Sequence, residues 1–332
     1  MKVACLSFTD KGKLLGERLI SINETYKMVH IHNSHIEGGI KGFLEKSWIE
    51  YDGFIFISAT GIAIRMSHPY IESKAKDPAI VVIDDEARFS ISLLSGHLGG
   101  ANEIAKAMGE YLGSIPVITT ASDNRGIDSI DIFAKENDYY IEDLSTVTEI
   151  TSMMVNDKRV GIYTEDEKLI KYPNLMRIYD LKDIDKSIEG IIIITSKKEI
   201  GSIDIPYTIL RPKNINIGIG CRKGVEEEII IQAIELALSK NNLSSKSIKS
   251  MGTVEIKKDE LGLIKAAKYY DCPLKIFTIE DILPIEDIFQ KSQFVKDTIG
   301  VYSVSEPCAY FLGGSPVVGK FIHKGVTISI NK

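Results

Sequence analysis

The sequence predicts an α/β protein with an N-terminal open α/β sheet domain, a small α+β middle segment and a C-terminal three-layer α/β domain. Apolar runs of strand length alternate with amphipathic stretches of helix length over most of the chain. Runs such as GFIFIS at 53–58 and IIII at 191–194 are apolar throughout, as expected for strands covered on both faces. Glycine-rich turns follow several of these runs and lead into the next helix.

The length of the chain predicts two or three domains, because 332 residues compare with roughly 150 residues per domain. We place an N-terminal domain at 1–137, a more charged and less patterned middle segment at 138–212, and a C-terminal domain at 213–332. Arg211-Pro212-Lys213 is interpreted as the linker into the last domain.

The N-terminal domain shows the alternation of an open sheet whose strands are joined by helices. The tight polar turn Asp84-Asp85-Glu86 joins two of the strands directly. The predicted strands are 2–8, 27–32, 53–58, 79–83, 88–94 and 116–120, and the predicted helices are 11–22, 38–48, a short helix before Pro69, and 101–112.

The rest of the chain carries a weaker pattern followed by a stronger one. The middle segment contains a predicted helix near 143–155 and strands near 159–163 and 190–195. The elements predicted for the C-terminal domain are the strand NINIGIG from 214, a helix at 225–240, a strand at 250–256, a helix at 259–270, a strand at 274–278, a helix near 304–312, and a closing hairpin across Lys324-Gly325.

Composition excludes several classes of protein. The net charge of −6 argues against a protein that coats nucleic acid, because neutralising phosphates needs a basic surface. No apolar run approaches the roughly 20 residues of a membrane span, and the N-terminus lacks the apolar region of a signal peptide. The four cysteines form no CxxC pair, so neither a zinc site nor a disulfide framework is indicated. We expect a cytoplasmic protein.

The motif Ser95-Gly96-His97-Leu98-Gly99-Gly100-Ala101-Asn102 lies between a predicted strand and a predicted helix. Its glycines let the backbone turn tightly and approach a ligand closely. The helix that follows presents free N–H groups and the positive end of its dipole. His97 has the chemistry of a proton shuttle near neutral pH. The alternative is an ordinary strand–helix turn with a solvated histidine.

A second motif, Ser58-Ala59-Thr60-Gly61-Ile62-Ala63-Ile64-Arg65, also follows a strand. Open α/β sheets bind ligands at the carboxyl ends of their strands. Arg65 can hold a carboxylate in a two-pronged bond. The alternative role for Thr60 is that of a helix cap.

A third motif, Gly218-Ile219-Gly220-Cys221-Arg222-Lys223-Gly224, resembles the dinucleotide fingerprint but has Lys223 at the third glycine position. It lacks the GK[ST] of a phosphate-binding P-loop. Two adjacent cations on a glycine-rich turn suit an anionic ligand. Cys221 is a candidate nucleophile if its thiolate is favoured there, and otherwise a small packing residue.

Weaker signals come from isolated polar residues. His30, His32 and His35 form a candidate metal site, although a surface strand with spare histidines is the favoured explanation. Acid–base work or simple surface charge would explain the carboxylates at 84–86 and those of Glu255 and Glu260. Ser305-Glu306-Pro307 indicates the start of a helix, with Ser305 as its cap.

Taken together, the motifs resemble one known family. DPAIVVIDDEARFSISLLSGHLGGANEIAKAMG, followed by IPVITTASD, is similar to the N-terminal domain of the cobalt-precorrin-5A hydrolase family, and ATGIAIR also fits its pattern. INIGIGCRKG and VSEPCAYFLGG resemble the C-terminal domain of that family. The resemblance covers residues from about 50 to 136 and from 214 to 330.

The resemblance implies a hydrolase of cobalamin biosynthesis. Its substrate would be a cobalt-chelated, ring-contracted tetrapyrrole with several carboxylates and a δ-lactone. Opening the lactone would be followed by release of acetaldehyde, which gives cobalt-precorrin-5B. Cobalt would arrive inside the substrate, so the protein itself would need no cofactor and no metal site.

This chemistry allows roles to be predicted for the motif residues. His97 is the predicted general base, and backbone N–H groups of Gly99 and Gly100 form a predicted oxyanion site. Arg65, Arg222 and Lys223 are expected to bind substrate carboxylates. The predicted catalytic residues are His97, Ser95 and Glu255, and the predicted substrate-binding residues are Thr60, Gly61, Arg65, Gly96, Gly99, Gly100, Asn102, Gly220, Cys221, Arg222, Lys223 and Glu306.

Three rival functions are weighed against the hydrolase. A corrinoid carrier without catalysis would suit the cationic glycine turns equally well. A nucleotide-dependent enzyme fits less well because the fingerprint is imperfect, and an interaction module fits least. We further expect the two motif-bearing domains to close over one substrate. We also expect the protein to form a homodimer and to pass its product to other enzymes of the pathway. No nucleic-acid or membrane partner is expected.

Overall fold

A computed structural model describes residues 1–73, 76–120, 127, 129–165, 172 and 175–332 of the protein. The chain divides into two compact units, residues 1–135 and residues 136–332. Within the described residues, the first unit holds one sheet of six strands and the second unit holds two sheets of five strands each. The predicted α/β class is confirmed. No helix in this described part of the chain combines the length and apolar character needed to cross a membrane.

The first unit closely follows the predicted alternation of strands and helices. Its elements are β1 (Lys2–Ser7), α1 (Asp10–Ile22), β2 (Lys27–His32), α2 (Gly39–Ser47), β3 (Gly53–Ile57), α3 (Thr60–Ser67), β4 (Ala79–Ile83), β5 (Phe89–Leu94), α4 (Ala101–Leu112), β6 (Ile115–Val117) and α5 (Ile130–Glu136). The strand order is β2-β1-β3-β4-β5-β6. The last strand is shorter than predicted, and α5 was not predicted.

Helices cover both faces of this sheet, which explains its continuously apolar strands. Successive strand side chains point to opposite faces. Residues such as Val3 and Ile55 pack against α1 and α4, whereas Ala4 and Phe54 pack against α2 and α3. The hydroxyl of Thr9 starts α1 by accepting the N–H of Gly12 at 3.0 Å.

The direction of β5 decides where the first glycine-rich loop lies. Strands β1 to β4 are parallel, but β5 runs antiparallel to β4, with Leu94 opposite Ile80 and Ser90 opposite Ile83. The loop after β5 therefore lies at the edge of the sheet where β4 begins. The loops after β1, β3 and β4 lie at the opposite edge.

The second unit begins with a mainly parallel sheet of order β7-β11-β10-β8-β9. Its elements are β7 (Tyr139–Ile141), α6 (Leu144–Val155), β8 (Val160–Thr164), β9 (Met176–Ile178), β10 (Gly190–Ile194) and β11 (Tyr207–Pro212). The predicted helix and the two predicted strands are present. Only β7 pairs antiparallel among the described strands of this sheet.

The linker predicted at 211–213 is wrong, because Arg211 and Pro212 end β11. The side chain of Arg211 is almost fully buried. Its guanidinium donates to the Glu142 carboxylate at 2.7 Å and to the carbonyl oxygens of Thr195, at 3.2 Å, and Lys197. A buried guanidinium requires such partners, since removing a charge from water is costly.

The last sheet has the order β14-β13-β12-β16-β15. Its elements are β12 (Ile215–Cys221), α7 (Glu227–Lys240), β13 (Ile248–Val254), α8 (Leu261–Tyr269), β14 (Leu274–Phe277), α9 (Ile279–Ile282), α10 (Gln293–Ile299), α11 (Ser305–Leu312), β15 (Pro316–His323) and β16 (Val326–Asn331). The hairpin turn uses Lys324 at φ 44° and Gly325 at φ 83°, values typical of a tight hairpin.

The two faces of this last sheet differ in chemistry. Ile217 and Ile219 belong to one apolar core with α7 and α8. The opposite face is polar and carries α11, where Ser305 and Ser329 share a hydrogen bond of 2.9 Å between their hydroxyls. Helices on both faces confirm the predicted three-layer architecture.

Candidate functional site

The glycine-rich loop from Ser95 to Gly100 folds back onto the helix that it precedes. The N–H groups of Gly100, Ala101 and Asn102 donate to the carbonyl oxygens of His97 at 3.0 Å, Ser95 at 3.2 Å and Gly96 at 3.0 Å. The first N–H groups of α4 are therefore satisfied by the loop itself. The N–H groups of Gly99 and Gly100 are predicted to form an oxyanion site. The Gly100 N–H donates to His97 in this conformation, so the Gly99 N–H is the remaining candidate.

The glycines of this loop are required by close packing inside it. A Cβ at Gly99 would lie 2.5 Å from the Cβ of Ser95, and a Cβ at Gly96 would lie 2.7 Å from Oδ1 of Asn102. Asn102 is buried and accepts a 2.6 Å hydrogen bond from the Ser92 hydroxyl. Asn102 thus holds the loop in place, and no contact in the structure tests its predicted role in substrate binding.

Ser95 has a left-handed backbone with φ 56°, which is uncommon for a residue with a side chain and is often found at functional sites. Its hydroxyl oxygen is buried and has no hydrogen-bond partner among the described residues. His97 therefore does not activate the Ser95 hydroxyl in this conformation. The predicted catalytic role of Ser95 stays a prediction.

His97 lies beside a buried carboxylate that the sequence did not single out. Its Nδ1 is 3.6 Å from Oδ1 of Asp131, and the two side chains are only 13% and 9% exposed. The same Oδ1 accepts hydrogen bonds from the hydroxyl of Ser129 and, at 3.0 Å, from the N–H of Ile132. Burial acts to raise the pKa of Asp131, but the neighbouring His97 imidazole and the hydrogen bonds from Ser129 and Ile132 outweigh it and lower that pKa below its ordinary value.

Helix α5, which carries Asp131, makes a second contact with the glycine-rich loop. The ammonium of Lys135 donates to the carbonyl oxygen of Leu98 at 3.2 Å. Asp131 and Lys135 are four residues apart on α5, so both side chains project from one side of that helix. Helix α5 thus holds the loop at two adjacent residues, His97 and Leu98.

The motif at 58–65 lies at the other edge of the first sheet. Thr60 begins α3, which follows the carboxyl end of β3, whereas a Cβ at Gly99 would lie 3.3 Å from the backbone nitrogen of Ala79 at the start of β4. A strand of five residues separates the two edges by about 17 Å. Arg65 and His97 therefore lie at opposite edges of this sheet, and the predicted contact of Arg65 with a substrate carboxylate stays a prediction.

The local geometry of that motif also differs from expectation. Ala59, and not Thr60, occupies the N-cap position of α3. The Arg65 guanidinium donates to the carbonyl oxygen of Gly61 within its own helix at 3.2 Å. Thr60 and Gly61 follow β3. The strand order changes direction between β1 and β3, because β2 lies on one side of β1 and β3 lies on the other. Open α/β sheets commonly bind ligands at such a position.

The histidines at the end of β2 form a small polar cluster and not a recognisable metal site. The Ser7 hydroxyl lies 2.8 Å from Nε2 of His30 and 2.9 Å from Nδ1 of His32. Gly16 of α1 packs against the His30 ring, since a Cβ there would lie 2.5 Å from Nε2. Among the described residues, no group of three or more His, Cys, Asp or Glu side chains is arranged to hold a metal ion.

Two glycines of the third motif, Gly218 and Gly220, lie in tightly packed positions of β12. A Cβ at Gly218 would lie 1.8 Å from the carbonyl oxygen of Ser305, and a Cβ at Gly220 would lie 2.6 Å from Oγ1 of Thr327. Only glycine lets α11 approach β12 this closely. Gly218 lies beneath α11, whereas Gly220 lies against the Thr327 side chain of β16, and the predicted contact of Gly220 with a substrate stays a prediction.

Cys221 does not have the environment of a nucleophile. Burial raises the pKa of its thiol to about 11, although the charge of Lys257 opposes this. The thiol therefore stays protonated near neutral pH, which favours the packing residue over the nucleophile of the two alternatives.

Arg222 and Lys223 are exposed on the turn that follows. A cavity of about 540 Å³ adjoins this turn, and acidic side chains outnumber basic ones in its lining. The electrostatics of this cavity do not favour a polycarboxylate, in contrast to the expected cationic site. Its charged lining residues are Lys223, Lys265, Glu226, Glu227, Glu228, Asp259 and Glu260.

The remaining predicted residues of the second unit make structural contacts. Glu255 follows the end of β13 and accepts the N–H of Ile279 at 3.1 Å. Glu306 accepts from the Ser303 hydroxyl at 3.2 Å. The prediction that Ser305 caps α11 is wrong, because Val304 occupies that position. Glu255 and His97 belong to different compact units.

Three family models match successive parts of the chain between residue 42 and residue 331. Residues 42–123 match the family described as cobalamin synthesis G N-terminal, residues 129–212 the cobalamin biosynthesis central region, and residues 215–331 the cobalamin synthesis G C-terminus.

Named relatives extend this match. A cobalt-precorrin-5A hydrolase of Salmonella typhimurium is 34% identical over 89% of this chain and 86% of its own, and one from Priestia megaterium is 34% identical over 88% and 82%. A solved cobalamin biosynthesis protein G homologue from Sulfolobus solfataricus is 26% identical over 99% of this chain and 96% of its own, with a TM-score of 0.41. With relatives this similar over most of its length, the chain belongs to the cobalt-precorrin-5A hydrolase family of cobalamin biosynthesis.

Proposed function

We propose that this protein hydrolyses the δ-lactone of cobalt-precorrin-5A and releases acetaldehyde, giving cobalt-precorrin-5B. The observation that carries the proposal is His97, held beside the ionised Asp131 on the glycine-rich loop at a distance of 3.6 Å. The names of the relatives supply the substrate class. Cobalt belongs to the substrate in this proposal, and the protein contributes no metal.

The first step requires a base. His97 takes a proton from water as the water oxygen adds to the lactone carbonyl carbon. The tetrahedral intermediate collapses by breaking the ring C–O bond, and the departing alkoxide takes the proton back from the imidazolium. A positioned general base of this kind accelerates a reaction by about 100- to 10,000-fold.

The second step releases acetaldehyde from the two-carbon unit that carries the freed hydroxyl. That hydroxyl loses its proton to the same imidazole, its C–O bond becomes the carbonyl of acetaldehyde, and the neighbouring C–C bond breaks. The electron pair of that bond passes into the macrocycle. One proton-accepting side chain therefore serves both steps, in agreement with the single histidine of this loop.

The Gly99 N–H is the proposed donor to the tetrahedral oxyanion. Removing one such donor typically costs about 100- to 1000-fold in rate. The binding of substrate carboxylates by Arg222 and Lys223 stays a prediction, and both side chains are exposed on the turn after β12. Arg65 is not proposed for this substrate site, since it lies at the opposite edge of the first sheet.

The test is an anaerobic incubation of the purified protein with cobalt-precorrin-5A, with acetaldehyde measured by a coupled alcohol dehydrogenase. We expect catalytic release in the wild type and a loss of at least about 100-fold in His97→Gln. The matched control is His68→Gln, which changes a histidine outside the loop. No release by the wild-type protein would contradict the proposal.

The carrier alternative is separated by a binding measurement on the same samples. A carrier would bind the tetrapyrrole stoichiometrically without forming acetaldehyde, and His97→Gln would leave its function unchanged. An enzyme should keep substrate binding in His97→Gln while turnover falls. Absorbance of the corrinoid retained with the protein after gel filtration measures this binding.

A further inference from the structure

We infer that Asp131 is the positioning residue of His97, which it holds in one ring orientation and one tautomer. This inference rests on the proposed function of His97 as the general base. The carboxylate and the imidazole come from elements far apart in the chain, the loop after β5 and the first turn of α5. Their approach to 3.6 Å is therefore a product of the fold and not of local sequence.

The carboxylate is itself held in place before any substrate binds. The Ser129 hydroxyl and the Ile132 N–H both donate to its Oδ1, the oxygen that faces His97. A carboxylate that accepts several hydrogen bonds stays ionised and cannot rotate freely. Asp131 is thus prepared to accept the Nδ1–H of His97, which makes Nε2 the basic nitrogen.

The distance of 3.6 Å between Nδ1 of His97 and Oδ1 of Asp131 is longer than a good hydrogen bond. Catalytic hydrogen bonds are often long without substrate and tighten when the reacting complex forms. Lys135 limits this movement, because it binds the carbonyl oxygen of Leu98, the residue after His97, at 3.2 Å. The loop can therefore move its histidine toward Asp131 while its backbone stays attached to α5.

A purely structural role for Asp131 would have a different signature. In that case Asp131 would only help to attach the loop to α5, as Lys135 does. Lys135→Met keeps the aliphatic stem and removes the hydrogen bond to Leu98, without changing the contact to His97. The pair of variants Asp131→Asn and Lys135→Met therefore separates attachment of the loop from control of the imidazole.

The experiment compares steady-state kinetics and NMR titration of the full-length proteins. We expect Asp131→Asn to lower kcat by about 100-fold or more with little change in KM, since an amide favours the wrong tautomer. Its His97 ring signals should titrate at lower pH than in the wild type, because the neighbouring negative charge is lost. Lys135→Met should leave that titration unchanged. Asp131→Glu should recover part of kcat.

An unchanged His97 titration in Asp131→Asn, or equal effects on kcat in both variants, would overturn the inference. If Asp131→Asn does not fold, the reciprocal measurement decides. The pKa of the Asp131 carboxyl, followed by carbon NMR, should rise in His97→Gln, and no rise would overturn the inference. The titrations do not depend on turnover, so they stand even if the wild-type protein releases no acetaldehyde.

Discussion

The two glycine-rich loops look alike in sequence and differ in what their glycines do. In the first loop, Gly96 and Gly99 lie within the loop and let it close on itself. In the second, Gly218 and Gly220 belong to β12, where Gly218 makes room for α11 and Gly220 makes room for the Thr327 side chain of β16. Glycine-rich sequence alone therefore does not identify a ligand-binding loop. The atoms that an added Cβ would contact distinguish the two cases.

Each loop is also held by a carboxylate, with different consequences. Asp131 faces the imidazole of His97, a side chain that can accept and donate a proton. Glu260 instead accepts the backbone N–H of Gly224 at 2.9 Å and a hydrogen bond from Lys257 at 3.0 Å. The first arrangement suits proton transfer, and the second fixes a turn. Four changes test this contrast, in order of falling effect.

Gly218→Ala should have the largest effect. Its Cβ would lie 1.8 Å and 2.5 Å from backbone atoms of Ser305 and Ala309, which cannot move without shifting α11. We expect the free energy of unfolding of the second unit to fall by about 3 kcal/mol or more. Urea denaturation followed by circular dichroism measures it. Gly319→Ala, where a Cβ meets no atom within 4 Å, is the control, and equal stabilities of the two variants would refute this reading.

Gly99→Ala should damage activity more than stability. A Cβ there would meet the Cβ of Ser95 at 2.5 Å, so the loop must open and displace His97. A displacement of about 1 Å costs on the order of 100-fold in rate. Acetaldehyde release and the thermal midpoint are measured on the same preparation. Normal turnover in Gly99→Ala would show that the loop geometry is not needed.

Glu260→Gln should produce a pH-dependent loss in stability. The N–H of Gly224 lowers the pKa of Glu260, so the folded protein keeps this carboxylate ionised at lower pH than the unfolded chain does. Its contribution is present above the unfolded pKa of about 4.3 and disappears as the pH falls through the folded value. We expect the variant to lose about 1 kcal/mol at pH 7.

The comparison that checks this prediction is urea denaturation of wild type and Glu260→Gln at pH 7 and at pH 3. The difference in the free energy of unfolding should shrink at the lower pH. A difference that stays constant with pH would mean that the charge of Glu260 does not stabilise the turn.

Cys221→Ala should have the smallest effect. Because burial raises the pKa of this thiol to about 11, hardly any thiolate exists at neutral pH. We expect less than about a threefold change in turnover, within the range of a conservative packing change of at most about 1 kcal/mol. Slow alkylation of Cys221 by iodoacetamide, followed by mass spectrometry, checks the same point. Rapid alkylation with loss of activity would restore Cys221 as a candidate nucleophile.

Local sequence was enough to predict most of the elements. Apolar runs such as 53–58 and 79–83 became buried strands, since a run of that length must be covered on both faces. The short turn Asp84-Asp85-Glu86 already required antiparallel neighbours, because parallel strands need a long connection. That turn was the available signal that the motifs at 58–65 and 95–102 lie at opposite edges of the sheet.

The sequence by itself determined the α/β class, the positions of the strands and the identity of the loop that carries His97. These depend on hydrophobic period, turn chemistry and motif, which are properties of neighbouring residues. Only the tertiary structure decided that Asp131 faces His97, that Arg211 is buried, and that Gly218 lies beneath α11. Such contacts join segments far apart in the chain, and their geometry follows from strand order, direction and register.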